Sequence, residues 1–472
     1  MVFSNAVFLL VFLPAVYLIN ALISKVSKTN TVWSNCFLLL ASLVFYAWGE
    51  PVFVFLMMGS VLLNWFCGKQ ISKRSGKSRK IWLCIAVAGD LLILGYYKYA
   101  GFMAGLVNSL AGRDVLGPLN IALPIGISFF TFQAISYVAD VYRGKTEASS
   151  RLIGTALYIS FFPQLIAGPI VKYQDISRQI EKRTVTWSRT SEGFRRFVFG
   201  LAKKVLIANV LGLCVDKIYF NNPEWIDPKA AWIAALAYTF QIYYDFSGYS
   251  DMAIGLGRMF GFDYKENFDY PYLSASVSEF WRRWHISLGS WFREYVYIPL
   301  GGNRKGKGRT YLNLTVVFFL TGLWHGAGVS FVFWGLYHGF FVIAERLCLK
   351  KFLDKNRIAG MIYCFLAVVF GWVLFRMEDT LAAVKVIVRM IIPWRYLHMP
   401  VIPSGSYMDL KTVVVLIAAV LGAGILQKAV PEKWREKWRD SVPEAVFCGV
   451  LLIFSLAAVA CDAYNPFIYF QF

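Results

Sequence analysis

The sequence predicts an all-α polytopic membrane protein, and three observations carry that reading. Only 16% of the 472 residues are charged while 58% are hydrophobic; soluble domains carry roughly 25% charged residues. Apolar runs of about 20 residues, the length that crosses a ~30 Å hydrocarbon core, recur from end to end. The basic residues gather in short loops between those runs, as they do where cytoplasmic loops are positive. That clustering assigns the net charge of +20 to membrane topology and argues against a nucleic-acid partner. Mean hydropathy is +0.53. Cys36, Cys67, Cys84, Cys214, Cys348, Cys364, Cys448 and Cys461 form no CxxC pair and read as small core residues, neither zinc ligands nor a disulfide framework.

The elements follow in order. An uncleaved first span over Val2 to Ile23 ends at Lys25 and Lys28. A second runs from Trp33 to Trp48, and Gly49-Glu50-Pro51 turns it into a third, Val52 to Cys67, which ends at the basic loop Lys69 to Lys80. Both loops are then cytoplasmic, which puts the N-terminus outside. A fourth span, Ile81 to Tyr97, carries Asp90, read as a satisfied helix–helix contact more readily than a functional acid. Past a Gly-rich turn over Ala111 to Asn120, Pro124 and Gly126 predict a broken start to the segment that returns at Arg143. Leu152 to Val171 has basic residues on both sides and contains Pro163 and Gly168-Pro169, so it reads as a re-entrant hairpin.

Phe194 to Phe220 is helical, and Ala230 to Asp245 is a span ending in the polar aromatic cluster QIYYDFSGYSD. EFWRRWHISLGSWFREYVYIPLGG suits an interfacial or re-entrant helix, followed by a flexible basic loop over Asn303 to Arg309. Tyr311 to Trp324 and Val329 to Ile343 form a hairpin. Three further runs, Ile358 to Phe375, Leu410 to Gln427 and Val446 to Ala463, complete about 10–12 transmembrane helices, with re-entrant and interfacial helices beside them. The whole chain, 1–472, reads as one membrane domain, with a motif-bearing core over about 121–346 and additional spans over about 358–472.

Three of the four histidines, His285, His325 and His338, lie between Phe280 and His338. His325 falls within TVVFFLTGLWHGAGVSFVFWGLY, where an ionisable side chain is costly to bury. A lone histidine on an apolar face is usually a satisfied core residue. Against that, Gly322, Gly326 and Gly328 would admit backbone or substrate, Trp324 can wall a site, and His285 lies on a segment able to fold back toward it. An imidazole suits proton removal from a hydroxyl near neutral pH. With no GxSxG elbow, direct transfer with a histidine base fits better than an acyl-enzyme. His338 reads as structural and His398 as a surface residue. No His/Cys/carboxylate triplet at ligand spacing supports a metal.

WRRWHISLGSWFREYVYIPLGGNR and LTGLWHGAGVSFVFWGLYHG together resemble the membrane-bound O-acyltransferase family, in particular its bacterial alginate O-acetyltransferase branch. LPIGISFFTFQAISYVADVYRG, FFPQLIAGPIVKY and YYDFSGYSDMAIGLGRMFGFDYKENFDYPY resemble that branch as well, so the likeness covers most of Leu123 to Gly339. The resemblance implies an enzyme of the cell membrane that moves an acyl group from a cytoplasmic thioester, acetyl-CoA or an acyl carrier protein, to hydroxyls of an exported polysaccharide. It implies no bound cofactor, and it admits an extracytoplasmic acetyltransferase partner that completes the transfer. By the same resemblance His325 is the general base and His285 positions or polarises the acyl carbonyl. Two rivals are D-alanyl transfer to teichoic acid within the same family and, in another class, a polysaccharide or lipid transporter. The latter predicts paired intramembrane charges and inverted repeats, which the sequence does not display.

Overall fold

The computed structural model describes residues 1–27, 31–117, 119, 121–219, 223–461 and 468. Lys28, Asn120, Phe220 and Ala463, which bound expected segments, lie outside these. Every regular element among the described residues is a helix. Eight are long and apolar enough to cross a membrane: Phe8–Ser27, Phe53–Lys73, Gly76–Ala111, Trp187–Tyr219, Val329–Lys355, Arg357–Arg376, Leu410–Ala429 and Val442–Cys461. The chain is an all-α polytopic membrane protein.

Four of the expected spans fall outside those eight. Trp33 to Trp48 lies in Thr31–Ala47 and the segment returning at Arg143 in Ile127–Arg143, helices of 17 residues each. Ala230 to Asp245 belongs to a 32-residue helix, Pro228–Met259, that runs on through the polar cluster instead of ending there. The cluster is buried from Gln241 to Ser250, so intrahelical bonding of its backbone wins over the local polarity. Tyr311 to Trp324 lies in Gly306–His325, which opens inside the stretch read as a flexible loop. Between Leu410–Ala429 and Val442–Cys461 the basic stretch KWREKWR, Lys433 to Arg439, expected as a cytoplasmic connection, likewise coils into a short helix, Glu432–Trp438.

Two compact units organise the chain: Met1–Phe197 with Ser250–Glu266, and Val198–Tyr249 with Asn267–Phe472. In the first, Phe45, Phe162 and Phe260 pack ring to ring at 5.6 and 5.7 Å. Asp90 is buried and accepts from Ser60 Oγ at 2.8 Å and Asn64 Nδ2 at 3.0 Å, tying Gly76–Ala111 to Phe53–Lys73 as a helix–helix contact. The expected hairpin is a broken, buried segment: a helix over Leu152–Ser160, a kink at Phe161, one turn over Phe162–Leu165, then irregular chain. Its backbone groups find side-chain partners, as burial requires: Phe162 N–H donates to Ser42 Oγ at 3.1 Å, and Tyr158 donates to the Val171 carbonyl at 2.9 Å.

The second unit contains all four histidines. Its tightest packing is the hairpin of Gly306–His325 against Val329–Ala344. A Cβ at Gly335 would stand 2.3 Å from the Phe318 carbonyl oxygen, and one at Gly322 equally close to that of Phe331. The unit also pairs charges that the sequence reading does not anticipate. Lys204 meets Asp245 at 2.5 Å with both side chains buried, and Arg376 donates to Asp216 at 2.8 Å. The partners are 41 and 160 residues apart, too far for helical spacing to reveal.

Candidate active site

The segment carrying His285 is built from two short helices, Val277–Arg283 and Ile286–Phe292, rather than one interfacial helix. The first is capped twice. Ser276 accepts from the Glu279 N–H at 3.0 Å, and the Glu345 carboxylate accepts from the N–H groups of Val277 (2.5 Å) and Ser278 (2.9 Å). An acceptor anion at a helix N-terminus satisfies orphan donors and complements the helix dipole. Between the helices His285 adopts φ +46° and ψ +54°, left-handed backbone that a non-glycine residue rarely occupies.

Asn267 holds that conformation. Its carbonyl accepts from Ile286 N–H at 3.0 Å. Its side-chain Oδ1 accepts from Ser287 N–H at 3.1 Å and Ser287 Oγ at 2.8 Å, and lies 3.2 Å from His285 Nδ1. His285 is 1% exposed, with the Phe246 ring 4.6 Å away edge-on. Burial pushes its imidazole down to about 3, so the ring is neutral at physiological pH.

His325 is the last residue of Gly306–His325 and is 4% exposed. At 1.5 Å per residue that helix sets it roughly 30 Å from Gly306. Aromatic rings wall it: Trp324 at 4.8 Å, Trp334 at 5.0 Å and Phe375 at 5.3 Å, all near perpendicular. Trp324 also lies 5.8 Å from the His285 ring. The two expected site residues therefore stand against one indole. Beside His285 a cavity of about 330 Å³ opens between Trp281, Phe292 and Phe318, with Arg282 and Arg293 in its lining. Both arginines are exposed.

His338 is fully buried between Trp281 and Trp334, each 5.1 Å away, and is not brought to the cavity. His398 is exposed. Two of the glycines around His325 are closed by packing: a Cβ would stand 2.3 Å from the Phe331 carbonyl oxygen at Gly322 and 2.2 Å from the Phe331 ring at Gly326, whereas at Gly328 nothing lies nearer than 3.6 Å. Among the described residues no three His, Cys, Asp or Glu side chains are grouped to hold a metal ion. The residues that sequence reasoning missed are Asn267, Trp334 and Phe375. Nothing in the spacing of Asn267, 18 positions before His285, marks it as a partner.

The sequence model of the membrane-bound O-acyltransferase family matches residues 148–377, a range that includes both histidines. Over its whole length the chain is 40% identical to the probable alginate O-acetylase AlgI of Pseudomonas putida, all of which is covered. It is 34% identical to the peptidoglycan O-acetyltransferase of Helicobacter pylori, over 83% of this chain and 80% of that protein. The teichoic acid D-alanyltransferase of Bacillus subtilis is more distant, 26% identical over 55% of this chain and 70% of that protein.

Proposed function

The chain belongs to the membrane-bound O-acyltransferase family, and from that premise we propose that it moves acetyl groups from a cytoplasmic thioester to hydroxyls of an exported cell-surface polysaccharide. The observation that carries the reading is the convergence of His285 and His325 on Trp324, with His285, though not His325, lining a cavity that also includes two arginines. Imidazoles supply the proton acceptor that hydroxyl attack on a thioester needs near neutral pH. Guanidinium groups favour a phosphate-bearing donor, acetyl-CoA or an acyl carrier protein. The full-length likeness to an alginate O-acetylase supports acetyl as the group and a polysaccharide as acceptor.

In this reading the N-terminus faces outward and the basic loops face the cytoplasm. The acyl group passes through a central tunnel, either to the polysaccharide directly or to an extracytoplasmic acetyltransferase. The test is the O-acetyl content of exported polysaccharide in cells carrying the wild-type chain or His325→Ala at equal membrane abundance. Loss of acetyl groups in the variant supports the proposal. Unchanged acetylation against a real wild-type signal makes His325 structural and reopens the transporter, and a D-alanyl ester in its place moves the reading to teichoic acid.

A further inference from the structure

We propose that Asn267 is a positioning residue for the transfer: by accepting from His285 Nδ1–H, it sets the imidazole so that Nε2 carries the lone pair. The role in transfer rests on the acyltransferase reading; the tautomer does not. An amide's oxygen and nitrogen are distinguished by their partners. Ser287 N–H can only donate, so the Asn267 atom 3.1 Å from it is the oxygen. That oxygen cannot donate, so His285 Nδ1, 3.2 Å away, carries the hydrogen. The opposite tautomer would set two lone pairs against each other. Ser287 Oγ lies 2.8 Å from the same oxygen but 3.4 Å from Nδ1, so its hydrogen goes to the amide.

Asn267 is 1% exposed, and its backbone carbonyl also holds Ile286 N–H. One residue thus fixes both the left-handed backbone of His285 and the sense of its ring. An amide orienting a histidine base is a known arrangement for proton transfer.

The consequence reverses the part that the resemblance implies for His285. A neutral imidazole with its lone pair on Nε2 accepts a proton and has none there to offer an acyl oxygen. As the acceptor hydroxyl oxygen bonds to the thioester carbon, its proton passes to Nε2. The C–S bond then breaks with its electron pair on sulfur, and the proton moves from Nε2 to the thiolate. An ester, a free thiol and neutral His285 result. No other reactant is needed.

The experiment is 15N NMR of the full chain, histidine-labelled, in lipid nanodiscs, with His285→Asn identifying one resonance pair among the four histidines. The expected state is a protonated Nδ1 and a bare Nε2. Asn267→Leu is expected to mix the tautomers and to lower kcat roughly 10–100-fold, with the donor KM nearly unchanged, as loss of an orienting partner does. Asn267→Asp keeps an acceptor oxygen and is expected to preserve the Nδ1–H state. It keeps the question open to measurement if the leucine variant does not accumulate. An Nε2–H tautomer in the wild type or in Asn267→Asp overturns the proposal, as does wild-type kcat in Asn267→Leu. A wild-type chain that transfers no acyl group refutes the acyltransferase reading, and the catalytic role with it, while the NMR still decides the tautomer.

Discussion

His285 and His325 lean on the same indole but are held there by different means. The first sits in a strained turn, its ring bonded to Asn267 and the N–H groups of Ile286 and Ser287 after it bonded there too. The second ends a 20-residue helix and is fixed by rings packed edge to face. Hydrogen bonds dictate which nitrogen faces a reactant, whereas packing dictates where a ring stands. The site combines a residue specified in protonation with one specified in place, and the two should fail differently when disturbed.

The largest expected effect is on chemistry. His325→Ala and His285→Ala should each lower acyl transfer by about 10²–10⁴-fold, read as acetyl ester formed per copy of protein in the membrane. Near-normal transfer in either would leave one histidine outside the reaction and dissolve the comparison. On the packed side, Trp334→Ala removes a 1%-exposed ring that touches His325. It should cost about 3–5 kcal/mol, seen as a lower unfolding midpoint in detergent and lower abundance.

Gly335→Ala comes next, at about 1–3 kcal/mol by the same assay, because its Cβ would meet a backbone oxygen that cannot yield. If its loss of activity exceeded its loss of folded protein, packing would also be tuning the reaction.

The last effect, of a size with that of Gly335→Ala, concerns pH and belongs to the bonded side. Burial holds folded His285 at about 3, whereas an unfolded histidine binds its proton near pH 6.5. Its contribution to stability is therefore complete above about pH 6.5 and declines as the pH falls toward about 3, by at most about 1.4 kcal/mol per unit. Unfolding midpoints at about pH 7 and about pH 5 should differ less in His285→Gln than in the wild type, and equal differences would mean another group carries the slope.

Much of this was legible before any coordinates. Apolar runs located the spans over Val2 to Ile23, Val52 to Cys67 and Ile81 to Tyr97 and the last three, because bilayer thickness imposes a length. Pro163 and Gly168-Pro169 announced the broken segment over Leu152 to Val171. His325 stood out through the cost of placing it in apolar sequence. What stayed hidden depends on pairs of distant residues. The Lys204–Asp245 pair, the Glu345 cap on Val277 and the Asn267 clamp on His285 carry no periodic trace. The glycines around His325 announced a close approach of backbone or substrate without saying which. Here it is Phe331.

That last point bears on how the molecule would look in a saturation-mutagenesis screen. Gly322, Gly326 and Gly335 each face an atom nearer than any side chain tolerates, so almost every replacement would score as a loss. A map of intolerance would rank them with His285 and His325, although what they face is packed protein. Dividing each score by the amount of chain found in the membrane would separate the two sets. The glycines would fall away, and the histidines would remain.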